Sequence, residues 1–259
     1  MTLSASPSIT AAILAIGDEL LSGRTKDKNI GHLADLLTLS GIDLREVRIV
    51  ADEEEAIVEA VNALRGRYTY VFTSGGIGPT HDDITADSIA KAFGLPCIHD
   101  PEAMTLLAEM YRRRDMEFTE ARQRMARMPQ GARHIANPVS TAPGFIVENV
   151  YVMAGVPQVF QAMVDAVLPQ LQTGAKMLSR AIPCPYGEGD IGTALAAIQK
   201  AHPHTSIGSY PKYDGQRFST ELIVRAREMD TLDAAAQAVE AMIAQLAMAK
   251  TVPNPSPDA

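Results

Sequence analysis

Thr73-Ser74-Gly75-Gly76-Ile77-Gly78-Pro79-Thr80-His81-Asp82-Asp83-Ile84-Thr85 is the stretch on which the fold turns. An apolar run at 68–73 precedes it with the length of a buried strand, and a helical pattern at 85–93, closed by Gly94, follows it. A strand that passes through a glycine loop into a helix places that loop at the carboxyl edge of an open α/β sheet. Ligands of such sheets bind there. Gly75, Gly76 and Gly78 let backbone amides approach an anion without a Cβ in the way, and the following helix start adds partial positive charge. The spacing is neither that of the Gly-Lys-Ser/Thr phosphate loop nor that of the dinucleotide fingerprint.

Reading outward, residues 11–16 form a continuous apolar strand, 29–40 a helix stopped by Gly41, and 44–50 a second strand. Asp52, with Glu55 three residues on, has the pattern of a capping box for a helix ending near Leu64. Alternating strands and helices predict an α/β fold, a mostly parallel sheet covered by helices on both faces in three αβα layers. Residues 102–128 read as helical and arginine-rich, 145–147 and 150–153 as a hairpin around Glu148-Asn149, and 158–168 as a helix. The first domain then spans 8–173, with Gly174 as a linker. Residues 175–250 read as a small α+β domain: strand 177–182, helix 190–201, strands 206–210 and 219–227, and helix 232–249. The Pro-rich tail 251–259 is expected to be disordered.

The chain has 259 residues, 46% hydrophobic and 21% charged, with a net charge of −8. That balance argues against binding nucleic acid or anionic lipid through a cationic surface. No apolar run is long enough to span a bilayer and the first residues carry no secretory pattern, so a cytoplasmic protein is expected. Cys97 and Cys184 are too isolated for a disulfide framework or thiolate metal site and are expected as buried thiols.

Asp82 and Asp83 suit a hard divalent cation of the Mg²⁺ or Co²⁺ type, which takes one or two carboxylates together with phosphate oxygens and water. The alternatives for this pair are a helix cap and plain surface. His81 is either a phosphate contact or general acid or base, or a solvated side chain. Gly17-Asp18-Glu19 after the first strand and Asp52 after the second reach the same sheet edge, as ligands or as cap and turn residues. Asn137-Pro138-Val139-Ser140-Thr141-Ala142-Pro143-Gly144 is held by two prolines and reads as a preorganised ligand loop or as a connector. Ser74, Gly75, Gly76, Gly78, Thr80, Asn137, Ser140, Thr141, Gly144 and, after the late strand, Gly155 form the expected ligand-binding set. His202 and His204 lack a third ligand and read as loop. Arginines 112, 113, 114, 122, 124 and 127 form either a solvated helix face or a phosphate-steering rim or subunit contact.

GDELLSGRTKDKN, VADEEEAI, TSGGIGPTHDDIT and MPQGARHIANPVSTAPGF resemble, in order and approximate spacing, the competence/damage-inducible protein A (CinA) family. The first three are shared with MogA/MoaB-type molybdopterin-binding proteins and with eukaryotic FAD synthase. GEGDIGTAL and SIGSYP resemble the small second domain of CinA-type proteins. The resemblance implies a MogA-like three-layer domain that binds a pterin or nucleotide, assembly into a homo-oligomer, and hydrolysis of ADP-ribose-like pyrophosphates with a divalent cation. It ties Asp52 and Asp83 to catalysis. Full-length CinA proteins carry a further amidohydrolase domain; the sequence ends before it, so deamidation is not expected. Where the family often has a glutamate after its late strand, this chain has Val159, and the usual Gly-Glu-Ser of the small domain is Gly189-Asp190-Ile191.

Two function classes follow. The first is a metal-dependent nucleotide pyrophosphatase, with Asp18, Asp82 and Asp83 on the cation and Asp52 or Asp18 orienting water. The second is a module that binds molybdopterin or a nucleotide without chemistry. A third and weaker class, an interaction protein that uses its arginine-rich helices on an acidic partner or RNA, runs against the net charge.

Overall fold

The computed structural model describes residues 8–251. The chain divides into two compact units between Gly174 and Ala175. The tail beyond Thr251, expected to be disordered, lies outside the described residues.

The first unit is built on a six-stranded sheet. Its strands are β1 (Thr10–Ile16), β2 (Asp43–Val50), β3 (Tyr70–Ser74), β6 (Arg133–Ile135), β7 (Gly144–Val147) and β8 (Val150–Met153), in the order β2-β1-β3-β8-β7-β6. β1 runs parallel to β2 and β3, and β3 parallel to β8; β7 returns antiparallel as the expected hairpin with β8. β1 is buried along almost its whole length, which explains its unbroken apolar sequence: Ala12, Leu14 and Ile16 face one side, Ala11 and Ile13 the other.

Two helices cover one face. α2 (Asn29–Leu39) presents Leu33 and Leu37, and α7 (Pro157–Val167) presents Phe160, Met163 and Val164, to Tyr70 and Phe72 of β3. The opposite face is covered by α3 (Glu54–Arg65), α4 (Thr85–Phe93) and α5 (Pro101–Arg113), whose Ile57, Val61, Ile89 and Leu107 pack on Leu14 and Val71. The result is the expected three-layer α/β architecture.

The arginine-rich stretch 102–128 departs from the helix the pattern suggested. α5 ends at Arg113, the chain turns through Asp115 at φ 53°, and α6 (Glu120–Gln123) and a 3₁₀ turn (Arg124–Ala126) follow. β5 (Arg127–Pro129) then pairs with β4 (Cys97–His99). Long-range burial of Ala126 and Met128 overrides local helix propensity here.

The second unit is a three-stranded antiparallel sheet, β10 (Ser206–Tyr213), β11 (Phe218–Ala226) and β9 (Leu178–Cys184), packed with α8 (Glu188–Ala201) and α9 (Met229–Thr251). Leu222 and Val224 of β11, Ile191 of α8 and Val239 of α9 form its core. Cys184 lies in that core, whereas Cys97 is only half-buried; both thiols are free. His202 and His204 lie in the loop after α8.

Candidate functional site

The carboxyl ends of β1, β2, β3 and β8 present four short segments along one edge of the sheet. From β3 the chain enters the glycine loop. Gly75 has φ +113° and its amide donates to the Met153 carbonyl at 3.1 Å, which ties the loop to the end of β8. A Cβ on Gly75 would stand 2.2 Å from the Ile16 carbonyl oxygen, and one on Gly76, at φ +68°, would stand 2.1 Å from Thr85 Oγ1. No other residue fits at either position. Thr85 closes the loop, its amide donating to the Gly76 carbonyl (3.0 Å) and its hydroxyl to that of Gly75 (3.0 Å). Gly155 packs against Gly75 from the β8 side.

Asp83 acts within this loop. Its Oδ2 accepts from the Thr80 amide at 2.8 Å and the Thr80 hydroxyl at 2.6 Å, and lies over Gly78. Asp82 and His81 point outward; the His81 side chain is 99% exposed.

After β1, α1 (Asp18–Leu21) begins against the end of β2. The Asp18 amide donates to Asp52 Oδ2 at 3.0 Å, and the Asp52 amide donates to Asp18 Oδ1 at 3.4 Å. This reciprocal pair corrects the capping-box reading. Glu53 precedes α3, no side chain caps it, and the Asp52 carboxylate serves α1 across the sheet instead. The Asp52 carboxyl is pushed above its usual range, first by burial and then by the charges of Asp18, Glu19 and Asp82; the Asp18 amide opposes the shift. Asp18, Asp52 and Asp82 are thus brought into one electrostatic neighbourhood.

The loop 137–144 reaches the same edge, because β7 is antiparallel to β8 and Gly144 starts it beside the end of β8. The polar groups of Asn137 are spent inside this loop. Oδ1 accepts from the Val139 and Ser140 amides (3.1 Å each), and Nδ2 donates to Ser140 Oγ (2.6 Å) and the Ala142 carbonyl (2.8 Å). Thr141 takes φ 71°. Asn137 and Ser140 therefore build the loop rather than present their polar atoms outward, and Gly144 is a sheet residue pressed against the Val152 carbonyl.

Asn29 was not singled out by the sequence pattern. It opens α2, is 3% exposed, and donates both amide hydrogens across the edge, to Ser74 Oγ (2.8 Å) and to the Gly155 carbonyl (2.8 Å). The signal for it was Asp27, two residues earlier, whose Oδ1 accepts from the Asn29 and Ile30 amides (3.1 and 2.8 Å) and fixes the first turn of α2.

The oxygen donors along this edge have the chemistry a hard cation takes; burial is the main cause of the upward shift at Asp52, and the charges of Asp18, Glu19 and Asp82 add to it. Among the described residues no three His, Cys, Asp or Glu side chains converge on a coordination centre, so a cation here would complete its shell from phosphate and water. Val159, where the family often has glutamate, is 8% exposed and points from α7 into the core. No helix among the described residues is long and apolar enough to cross a membrane.

Residues 12–173 match the family model described as a probable molybdopterin binding domain, and residues 176–252 match the middle domain of FAD synthase. A protein from Pyrobaculum calidifontis is 35% identical over 212 residues, 78% of this chain and 81% of that one. A CinA-like protein from Citrifermentans bemidjiense is 40% identical over 165 residues, covering 62% of this chain and 40% of that one. Among solved structures, the protein CinA from Thermoplasma acidophilum superposes with a TM-score of 0.58 at 30% identity, over 63% of this chain and 98% of that one. The matched span runs from β1 to the end of the first unit and so contains the glycine loop, the Asp18–Asp52 pair and the Asn29 bridge; by that match, the chain belongs to the family of probable molybdopterin binding domains, in its CinA-like form.

Proposed function

We propose that the protein hydrolyses the pyrophosphate of small nucleotides, with ADP-ribose the leading substrate, giving AMP and ribose 5-phosphate. The observation that carries this reading is the Asp18–Asp52 pair beside the glycine loop, with the Asp52 carboxyl pushed upward by burial and by its acidic neighbours. The backbone amides of Gly76 and Gly78 receive the diphosphate, while the Gly75 amide stays on the Met153 carbonyl. A carboxylate with a raised proton affinity is a better acceptor for the proton of an attacking water, and on this reading Asp52 orients that water. Its own orientation is held by the Asp18 amide. Asp18 and Asp82 would hold a divalent cation, which supplies charge withdrawal at the phosphoryl group when bound. Asp83 shapes the loop through Thr80 and keeps one oxygen outside that contact.

The test is incubation of the purified protein with ADP-ribose, FAD and NAD, in Mg²⁺, Co²⁺ or EDTA, following AMP by chromatography. Metal-dependent AMP release that falls at least 100-fold in Asp52→Asn is expected. Equal turnover in Asp52→Asn overturns the assignment.

Two observations favour a second reading, a pterin- or nucleotide-binding module without chemistry. No three-ligand cation centre forms among the described residues, and Val159 places a core side chain on α7. Tight binding of a pterin phosphate with no product from any of the three nucleotides would favour it.

A further inference from the structure

We infer that Arg124 is the cationic anchor for the phosphate group bound at the glycine loop. The inference deepens the phosphate-site reading above and rests on it. The arginines between 112 and 127 differ sharply in environment. Arg112 and Arg114 are exposed to water. Arg113 pairs with Glu109 and Arg127 with Asp87, while Arg122 lies over the Tyr111 ring at 4.7 Å and donates to the Glu117 carbonyl. Arg124 is half-buried in the 3₁₀ turn after α6 and, among the described residues, makes no ion pair. Its Nη2 donates to the Asp83 carbonyl at 3.1 Å, and its Nε is buried without a partner.

A partly buried guanidinium without a counter-charge carries a desolvation cost that an anion removes. The residue it touches identifies where that anion sits. Asp83 closes the glycine loop through Thr80 and lies two residues before the first turn of α4. The loop amides and the start of α4 favour an anion, yet Asp82 and Asp83 repel one. Arg124 supplies the missing positive charge from the chain itself, through the guanidinium N–H groups that the Asp83 carbonyl leaves free. The ligand class is therefore a phosphate or pyrophosphate ester rather than an uncharged heterocycle, and the arginine acts whether or not a divalent cation is also bound.

The experiment is calorimetric titration of the full chain with inorganic pyrophosphate and with ADP-ribose, in EDTA and in Mg²⁺, at low and moderate KCl. Wild type is compared with Arg124→Gln and Arg124→Lys, with thermal unfolding measured on each. Arg124→Gln is expected to weaken pyrophosphate binding by roughly 10- to 100-fold and flatten its salt dependence, with Arg124→Lys between the two. In wild type, pyrophosphate is expected to protect Arg124 from phenylglyoxal, read by peptide mass spectrometry; this arm stands even if a variant does not fold. Wild-type binding that is unchanged in Arg124→Gln, or Arg124 modified equally with and without pyrophosphate, overturns the anchor and leaves the phosphate site standing. A wild type that binds neither pyrophosphate nor ADP-ribose overturns the site and the anchor together.

Discussion

Asp52 is the carboxyl whose surroundings work against its charge. Burial and the charges of Asp18, Glu19 and Asp82 raise its proton affinity in the folded chain above that of the unfolded one. For such a carboxyl the sign is fixed: the folded state gains from protonation at low pH, and that gain is lost as pH rises through the folded pKa. Above the folded pKa the Asp52 charge is a net cost to folding. Asp52→Asn keeps an oxygen for the Asp18 amide and removes the charge. Its melting temperature is expected to rise by about 2–4 °C at pH 7.5. The difference should vanish below the ordinary carboxylate range. A variant less stable than wild type at pH 7.5 would show that the Asp18 contact outweighs the repulsion.

The strand–loop–helix element from β3 to α4 depends on glycines for two separable reasons. Gly94 ends α4 at φ +65° with nothing within 4 Å of an added Cβ, so Gly94→Ala costs only left-handed strain, about 1–2 kcal/mol. Gly75 combines φ +113° with a Cβ position 2.2 Å from the Ile16 carbonyl oxygen, a backbone atom at the end of β1, a strand held by pairing on both sides. Gly75→Ala is expected to cost about 3 kcal/mol or more, or to prevent folding. Urea midpoints for the two variants check the contrast, and equal losses would show that the loop relaxes freely around residue 75. On the opposite face, Phe160 of α7 is fully buried beside Leu33 and Leu37 of α2. Truncating it to alanine is expected to cost about 3–5 kcal/mol and, through α2, to loosen the Asn29 bridge between Ser74 and Gly155.

At the scale of the whole molecule, each unit buries its own core: two layers around the six-stranded sheet in one, a single cluster around β11 in the other. The chain between them, residues 172–176, has no regular structure, and Lys176 in it is exposed. Limited trypsin digestion is expected to cut first after Lys176 and to leave two protease-resistant fragments. First cleavage inside either unit, at Arg112 or Arg225 for example, would show that the segment is protected in solution.

What the sequence determined by itself was the part written in short-range chemistry. The alternation of β1, α2, β2, α3, β3 and α4, the glycine loop, and the division near Gly174 were legible because apolar period, glycine position and stop residues are local signals. The position of Asp18, Asp52, Asp82 and Asp83 after the strands of the sheet was legible, but not their partners. Asp52 reads as the cap of the helix next to it, since a capping box is defined by spacing; only the parallel pairing of β1 with β2 offers it the Asp18 amide. Asn29 donates across 45 and 126 residues of sequence, a distance at which no spacing pattern survives. Asn137 and Ser140 matched a ligand loop and turned inward, because the loop satisfies its own polar groups first. The arginine-rich segment broke where Ala126 and Met128 gained more from burial than from a longer helix, and that break set Arg124 against the glycine loop. Local sequence chose the elements and most of the chemistry; which carboxylate faces which amide, and which arginine lacks a counter-charge, followed from tertiary packing alone.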